Sequence, residues 1–110
     1  MASSSPKFFI ETVLETLRIR EYFKEILSGE EVQRGKPYPD IFLETAEMLR
    51  VNPQECVVIE DSTNGIKAAL AAGMKCIGFI NLNSGLQDLT SASIIVDSIC
   101  KINYGLISNM

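Results

Sequence analysis

The sequence predicts an α/β domain built on a parallel sheet, and three observations predict it. Short, continuously apolar runs at residues 56–59 and 76–80 read as strands buried on both faces. Segments with apolar residues at helical spacing precede and separate them. The two kinds alternate, which calls for right-handed βαβ crossovers and parallel pairing. In such sheets ligands bind beyond the carboxyl ends of the strands. The polar residues that follow each apolar run are therefore the ones to inspect for chemistry.

From the N-terminal end, residues 1–7 (MASSSPK) are short, polar and turn-like. Pro6 suits the first turn of a helix with Ser5 as its N-cap. Phe9, Ile10, Val13, Leu14 and Leu17 give that helix, residues 6–17, one apolar face. Tyr22 and Phe23 read as packing residues, and residues 25–29 as a short strand. Residues 30–39 form a charged loop broken by Gly35, Pro37 and Pro39. Asp40 opens a second helix, with Ile41, Phe42, Thr45, Ala46 and Leu49 on one face, and Asn52-Pro53 ends it. After the strand at 56–59, residues 63–72 form a third helix with Gly73 as its C-cap. Residues 76–80 are the next strand, 81–93 a polar loop or helical turn, and 94–96 a third short apolar strand.

Composition narrows the function classes. A chain of 110 residues is one small domain, and 46% apolar with 22% charged residues fits an ordinary globular one. A net charge of -4 with scattered basic residues argues against a nucleic-acid partner. No run approaches the roughly 18 apolar residues of a membrane helix, and residues 1–30 lack a signal-peptide pattern. With no histidine, His-based catalysis and His metal sites are excluded from this chain. Cys56, Cys76 and Cys100 match neither a zinc spacing nor a disulfide framework. They read as small core residues in a reducing compartment, for which the cytoplasm is the expectation.

Three places can carry chemistry. Glu60-Asp61 ends an apolar run and leads straight into a helix. Either these acids are a polar strand exit with Asp61 or Ser62 capping the helix, or they offer hard oxygen ligands to Mg²⁺. In the second case the free N–H groups of the helix would favour an anion in the same crevice. Gly65 either leaves room for close approach or eases helix packing. Lys36, in GKPYPD, is either a solvated lysine or a cation on a proline-stiffened loop that offsets phosphate charge. Ser3, Ser4 and Ser5 are either a frayed start with one cap or donors to phosphate oxygens at a helix start.

In the order Ser-Ser-Ser, Gly-Lys-Pro-x-Pro-Asp and Glu-Asp-Ser-x-x-Gly-Ile-x-Ala-Ala-x-x-Ala-Gly-Met, these stretches resemble the haloacid dehalogenase-like hydrolase superfamily. The likeness is greatest to the branch containing β-phosphoglucomutase and related sugar-phosphate phosphatases, and it runs from Ala2 to about Asp97. It implies a three-layer, Rossmann-like parallel sheet and a small phosphorylated substrate. It further implies that Ser3, helped by Ser4 and Ser5, binds the transferring phosphoryl group. Lys36 would steady the phosphorylated nucleophile, and Asp61 with Glu60 would bind Mg²⁺. A signalling receiver domain uses similar residue types, but the Lys-Pro-x-Pro-Asp loop and the motif order argue against it.

One part of the pattern is missing. The family's first motif, Asp-x-Asp-Gly-Thr, carries the nucleophile and the general acid/base, and it occurs nowhere in the sequence. The cap domain that bears specificity is missing with it. Residues 1–110 are therefore expected to form the C-terminal segment of a core domain with an incomplete sheet. A gap of two strands should separate the strand near 25–29 from the one at 56–59, leaving unpaired edges. No carboxylate has the context to form an aspartyl-phosphate, and two acids from one strand end hold Mg²⁺ poorly. The chain alone is expected to be inactive, its gap filled by the missing N-terminal part or by self-association. The alternative expectation is a non-catalytic binding or interaction module that retains the scaffold.

Overall fold

A computed structural model describes all 110 residues. It contains two parallel sheets rather than one. Strand β1 (Ala2–Ser3) pairs with β2 (Leu27–Ser28), while β3 (Val57–Glu60), β4 (Lys75–Phe79) and β5 (Ile94–Val96) pair in that order. Every pairing is parallel. Helices α1 (Lys7–Thr16), α2 (Asp40–Leu49) and α3 (Thr63–Ala71) alternate with the strands, and a short α4 (Tyr104–Ser108) closes the chain. This is the expected incomplete α/β architecture.

The expected gap of two strands needs correction. Ala2 and Ser3, read as part of a turn, form a strand in register with Leu27 and Ser28. Backbone pairing alone suffices there: the Leu27 N–H donates to the Met1 carbonyl at 2.8 Å, and only Ala2 packs against the core. The gap is thus bordered by β1 and β3. Strand β3 is not buried on both faces as expected. Val58 is buried, but Ile59 is 49% exposed, because nothing pairs with the β3 edge opposite β4. Strand β4 has neighbours on both sides, and its Cys76, Ile77 and Gly78 are buried.

The main core lies between the sheets and helices α2 and α3. Ile41, Phe42 and Ala46 of α2 meet Ile66, Ala68 and Ala69 of α3, with Val58 and Cys76 from the strands. The fully buried alanines leave no side-chain bulk to hold α3 away from its neighbours. A smaller cluster joins Ile10 and Leu14 of α1 to Ile26. The apolar face expected for α1 is therefore divided, with Phe9, Val13 and Leu17 left exposed. The Cα radius of gyration is 13.5 Å, close to the ~13 Å of a compact chain of this length. Only 20 of the 110 residues are buried, so compactness here coexists with uncovered apolar faces.

Helix ends differ in detail from expectation. Ser5 does not cap α1; Pro6 occupies that position without a side-chain bond, and the Lys7 N–H donates to the Glu30 carboxylate at 3.2 Å. Arg50, with φ at 57°, ends α2 before Asn52-Pro53 is reached. Gly73, with φ at +75°, follows α3 as expected. Of the three free cysteines, only Cys76 is a buried core residue; Cys56 is partly exposed and Cys100 exposed. No helix is long and apolar enough to cross a membrane.

Candidate functional site

Glu60 is the last residue of β3, and its carboxylate is held from three sides. Lys36 Nζ donates to Oε1, with the two side chains 11% and 9% exposed. The Ser62 N–H and hydroxyl donate to Oε2 at 3.4 and 3.0 Å. Gly65 of α3 closes over the group: a Cβ there would lie 2.0 Å from the carboxylate carbon. This decides the Gly65 alternatives in favour of close approach.

Lys36 comes from the loop beyond β2, so the pair ties the end of one sheet to the end of the other. Its Nζ lies 5.0 Å from the Phe42 ring centroid, where a cation is favoured. The loop is braced by Arg34, whose guanidinium sits 4.4 Å from the Tyr38 ring and forks onto Asp40 at 3.0 and 3.3 Å. Arg34 is half exposed, so this brace contributes order more than stability.

Asp61 follows at the mouth of β3. Its Oδ2 accepts from the Ser84 hydroxyl at 2.6 Å and from the Asn81 amide at 2.8 Å. These two bonds, Ser84 first, hold its carboxyl below the usual carboxylate range. Oδ1 accepts nothing from another residue. Three of the N–H groups of α3 expected to await an anion are already engaged. Thr63 donates to the Gln87 side chain at 2.9 Å, Gly65 to the Ser62 hydroxyl at 3.0 Å, and Ile66 to the Ser62 carbonyl at 3.0 Å. Ser62 is thus the helix cap, and Asp61 is free of that duty.

The serines form a third unit. Ser3 Oγ accepts from the Ser5 N–H at 3.2 Å, and the Ser5 carbonyl accepts from the hydroxyl of fully buried Ser28 at 2.6 Å. Ser28 also accepts from the Glu30 N–H, and its own N–H donates to Glu31, which pairs with Lys7. A Cβ at Gly29 would lie 3.2 Å from the Ser4 Cα, so the serine backbone packs directly on this turn. The structure therefore brings Lys36, Glu60 and Asp61 together. It holds Ser3, Ser4 and Ser5 at the end of β1 without a hydrogen bond to that group.

Between the edges of β1 and β3 runs a cleft of about 520 Å³, lined by Met1 and Ala2 on one side and Val57, Ile59 and Glu60 on the other. Eleven of its 13 lining residues are hydrophobic. Sequence reasoning missed Ser28, Asn81, Ser84 and Gln87. The Ser28-x-x-Glu31 spacing of a capping box was there to be read. Asn81, Ser84 and Gln87 lie in a polar loop and carry no local signal.

The donors fit part of a Mg²⁺ site. Mg²⁺ takes one or two carboxylates and completes its shell with waters and substrate phosphate. Asp61 Oδ1 suits one such ligand, whereas both Glu60 oxygens are committed to Lys36 and Ser62. No three His, Cys, Asp or Glu side chains stand together as a metal cluster.

Similarity to known proteins agrees with this arrangement. The chain is 40% identical over 103 residues to a bifunctional riboflavin kinase/FMN phosphatase of Arabidopsis thaliana, covering 93% of this chain and 27% of that protein. It is 37% identical over 101 residues to phosphoglycolate phosphatase of Escherichia coli strain K12, covering 90% of this chain and 40% of that one. The crystal structure of β-phosphoglucomutase from Clostridium difficile superposes with a TM-score of 0.79 at 36% identity, over 89% of this chain and 42% of that one. The chain thus spans well under half the length of each of these relatives. Residues 1–73 match the family model described as haloacid dehalogenase-like hydrolase, and the chain belongs to that family.

Proposed function

We propose that residues 1–110 are the C-terminal core segment of a Mg²⁺-dependent phosphatase or phosphomutase acting on small phosphate esters such as sugar phosphates. One observation carries the reading. The buried Lys36–Glu60 pair and Asp61 stand at the end of the very strand that borders the apolar cleft. A strand seated there, between β1 and β3, would bring its own carboxyl end beside Lys36.

In this reading the phosphoryl group is transferred to an aspartate outside these residues, giving an aspartyl-phosphate. Lys36 places its charge against the transferring group, where it offsets negative charge. Glu60 keeps Lys36 aimed. Ser3, with Ser4 and Ser5, binds the phosphoryl oxygens. Asp61 supplies one metal oxygen and Glu60 supports it; bound Mg²⁺ would neutralise phosphate charge. With no nucleophile of its own, the 110-residue chain does not turn over substrate alone. An N-terminal part outside these residues fills the cleft, and self-association substitutes where that part is missing. Free thiols suit a reducing compartment, the cytoplasm.

The test has two arms. The coding DNA upstream of Met1 is read in frame, and the purified 110-residue chain is assayed with Mg²⁺ and a small phosphate ester. The reading expects an Asp-x-Asp-Gly-Thr strand upstream and no turnover by the chain alone. Turnover by the chain alone overturns it. An in-frame stop codon and ribosome site directly upstream would instead make the chain a binding module on the same scaffold.

A further inference from the structure

We infer that Asn81 and Ser84 are positioning residues that restrict Asp61 to one-oxygen metal coordination and thereby bias the site toward Mg²⁺ over Ca²⁺. The inference rests on the proposed role of Asp61 as a metal ligand.

Both donors converge on the same oxygen. The Ser84 hydroxyl lies 2.6 Å and the Asn81 amide nitrogen 2.8 Å from Asp61 Oδ2, and no other residue donates to Oδ1. Bonds to a charged acceptor are the stronger kind. The orientation of Asn81 is not free. Its Oδ1 accepts the Asn83 N–H at 3.0 Å, which leaves the amide nitrogen for Asp61. The Ser84 N–H donates to the Asn81 carbonyl at 3.0 Å and closes the turn that carries both donors.

The turn is itself fastened to the start of α3. Gln87 Nε2 donates to the Ser84 carbonyl at 2.9 Å, and Gln87 Oε1 accepts from the Thr63 N–H. The Asp88 N–H donates to the Thr63 hydroxyl at 2.8 Å. Residues 81–88 therefore form a clasp fixed at Thr63, two positions beyond the carboxylate it holds.

A carboxylate binds a metal with one oxygen or two. Ca²⁺ accepts either mode at about 2.3–2.6 Å, whereas Mg²⁺ demands near-ideal octahedral geometry at about 2.0–2.1 Å, which a single oxygen suits. Two donors on Oδ2 oppose the two-oxygen mode, because it would cost both bonds. Removing them releases Oδ2 and favours the larger ion.

The test is an NMR titration of the ¹⁵N-labelled 110-residue chain with Mg²⁺ and with Ca²⁺ at millimolar concentration, with Mn²⁺ broadening to locate the ion. Wild type, Ser84→Ala, Asn81→Ala/Ser84→Ala and Asp61→Asn are compared, and thermal melts check folding. Outer partners of metal ligands typically change affinity about 10–100-fold. The ratio of the Ca²⁺ to the Mg²⁺ dissociation constant should therefore fall about tenfold in the double variant. It should fall part of the way in Ser84→Ala, which leaves the Asn81 turn intact and serves if the double variant unfolds. A ratio that stays constant, with Mn²⁺ still broadening the surroundings of Asp61, overturns the inference and leaves the metal reading standing. Mn²⁺ broadening that is not centred on Asp61, or that survives Asp61→Asn, defeats the metal reading and the inference with it.

Discussion

Gly65→Ala is the substitution that most directly tests the packing of the site. In an ordinary helix interior it would stabilise by about 1 kcal/mol, because glycine is the poorer helix former. Here the new Cβ would lie 2.0 Å from Glu60 Cδ and Oε2 and 2.4 Å from Oε1. The carboxylate must retreat by about 1.4 Å to reach the 3.4 Å of ordinary contact. A flexible glutamate on a surface would do so at little cost. This one is held by Lys36 and Ser62 in a site about nine-tenths buried. Overpacking costs about 1–3 kcal/mol, and breaking a buried ion pair about 3–5 kcal/mol. With partial relaxation, and after the helix gain is subtracted, a net loss of about 2–4 kcal/mol is expected, or a fall in Tm of ~10 °C or more. Urea and thermal unfolding followed by circular dichroism measure it. The same substitution in a Glu60→Ala background should cost at least about 2 kcal/mol less, since its target is gone. A Gly65→Ala protein as stable as wild type, or an equal cost in both backgrounds, would refute the reasoning.

Three further outcomes are expected. Asp61 is held below its usual value of 3.8 by Ser84 and then Asn81. A depressed carboxylate stabilises the fold above its unfolded pKa and loses that contribution as pH falls through the folded value. The loss from this group therefore falls below about pH 4, and Ser84→Ala should move the Asp61 midpoint upward in a ¹³C carboxyl titration and shrink the acid-side loss in Tm. Ser28→Ala leaves the Ser5 carbonyl and the Glu30 N–H without their partner, and denaturant unfolding should show a loss of about 1–3 kcal/mol. Burial pushes the Cys76 thiol up to about 11, so a thiol reagent at pH 8 should label Cys100 in the native protein and spare Cys76 until it unfolds.

What the sequence made legible followed from periodicity and from chain order. Helices α2 and α3 and strands β4 and β5 lie where apolar spacing and turn residues put them, within a residue or two at each end. That Lys36 and Glu60 belong to one site was implied by the family resemblance, but their ion pair, made across 24 residues of chain, was not expected. Strand β1 was hidden because it consists of two residues whose pairing is made by backbone alone. The exposure of Ile59 was hidden for a related reason. An apolar run reports what a strand is suited to pack against, and β3 is suited to a neighbour that these residues do not provide. Asn81 and Ser84 were unreadable because their role depends on a loop folding back onto a carboxylate 20 or more residues earlier. Local spacing carries no trace of such a contact.

The way the site is held bears on how a strand seated in the cleft, as proposed, would join it. Each candidate site side chain is fixed by groups within the 110 residues. Lys36 is held by Glu60 and Phe42, Glu60 by Ser62 and Gly65, Asp61 by the 81–88 clasp, and the serine loop by Ser28. A strand entering between β1 and β3 would thus meet charges and hydroxyls already oriented, and would bear only its own ordering cost. The cleft walls are apolar and the free edges offer unpaired N–H and C=O groups, so burial and backbone pairing would both favour its entry. On the proposed function, binding of a nucleophile-bearing strand would then be separable from construction of the site that receives it. Substitutions at Lys36 or Asp61 should abolish chemistry in the completed protein without preventing the strand from seating, while charged substitutions at Val57 or Ile59 should prevent seating and leave the Asp61 clasp intact.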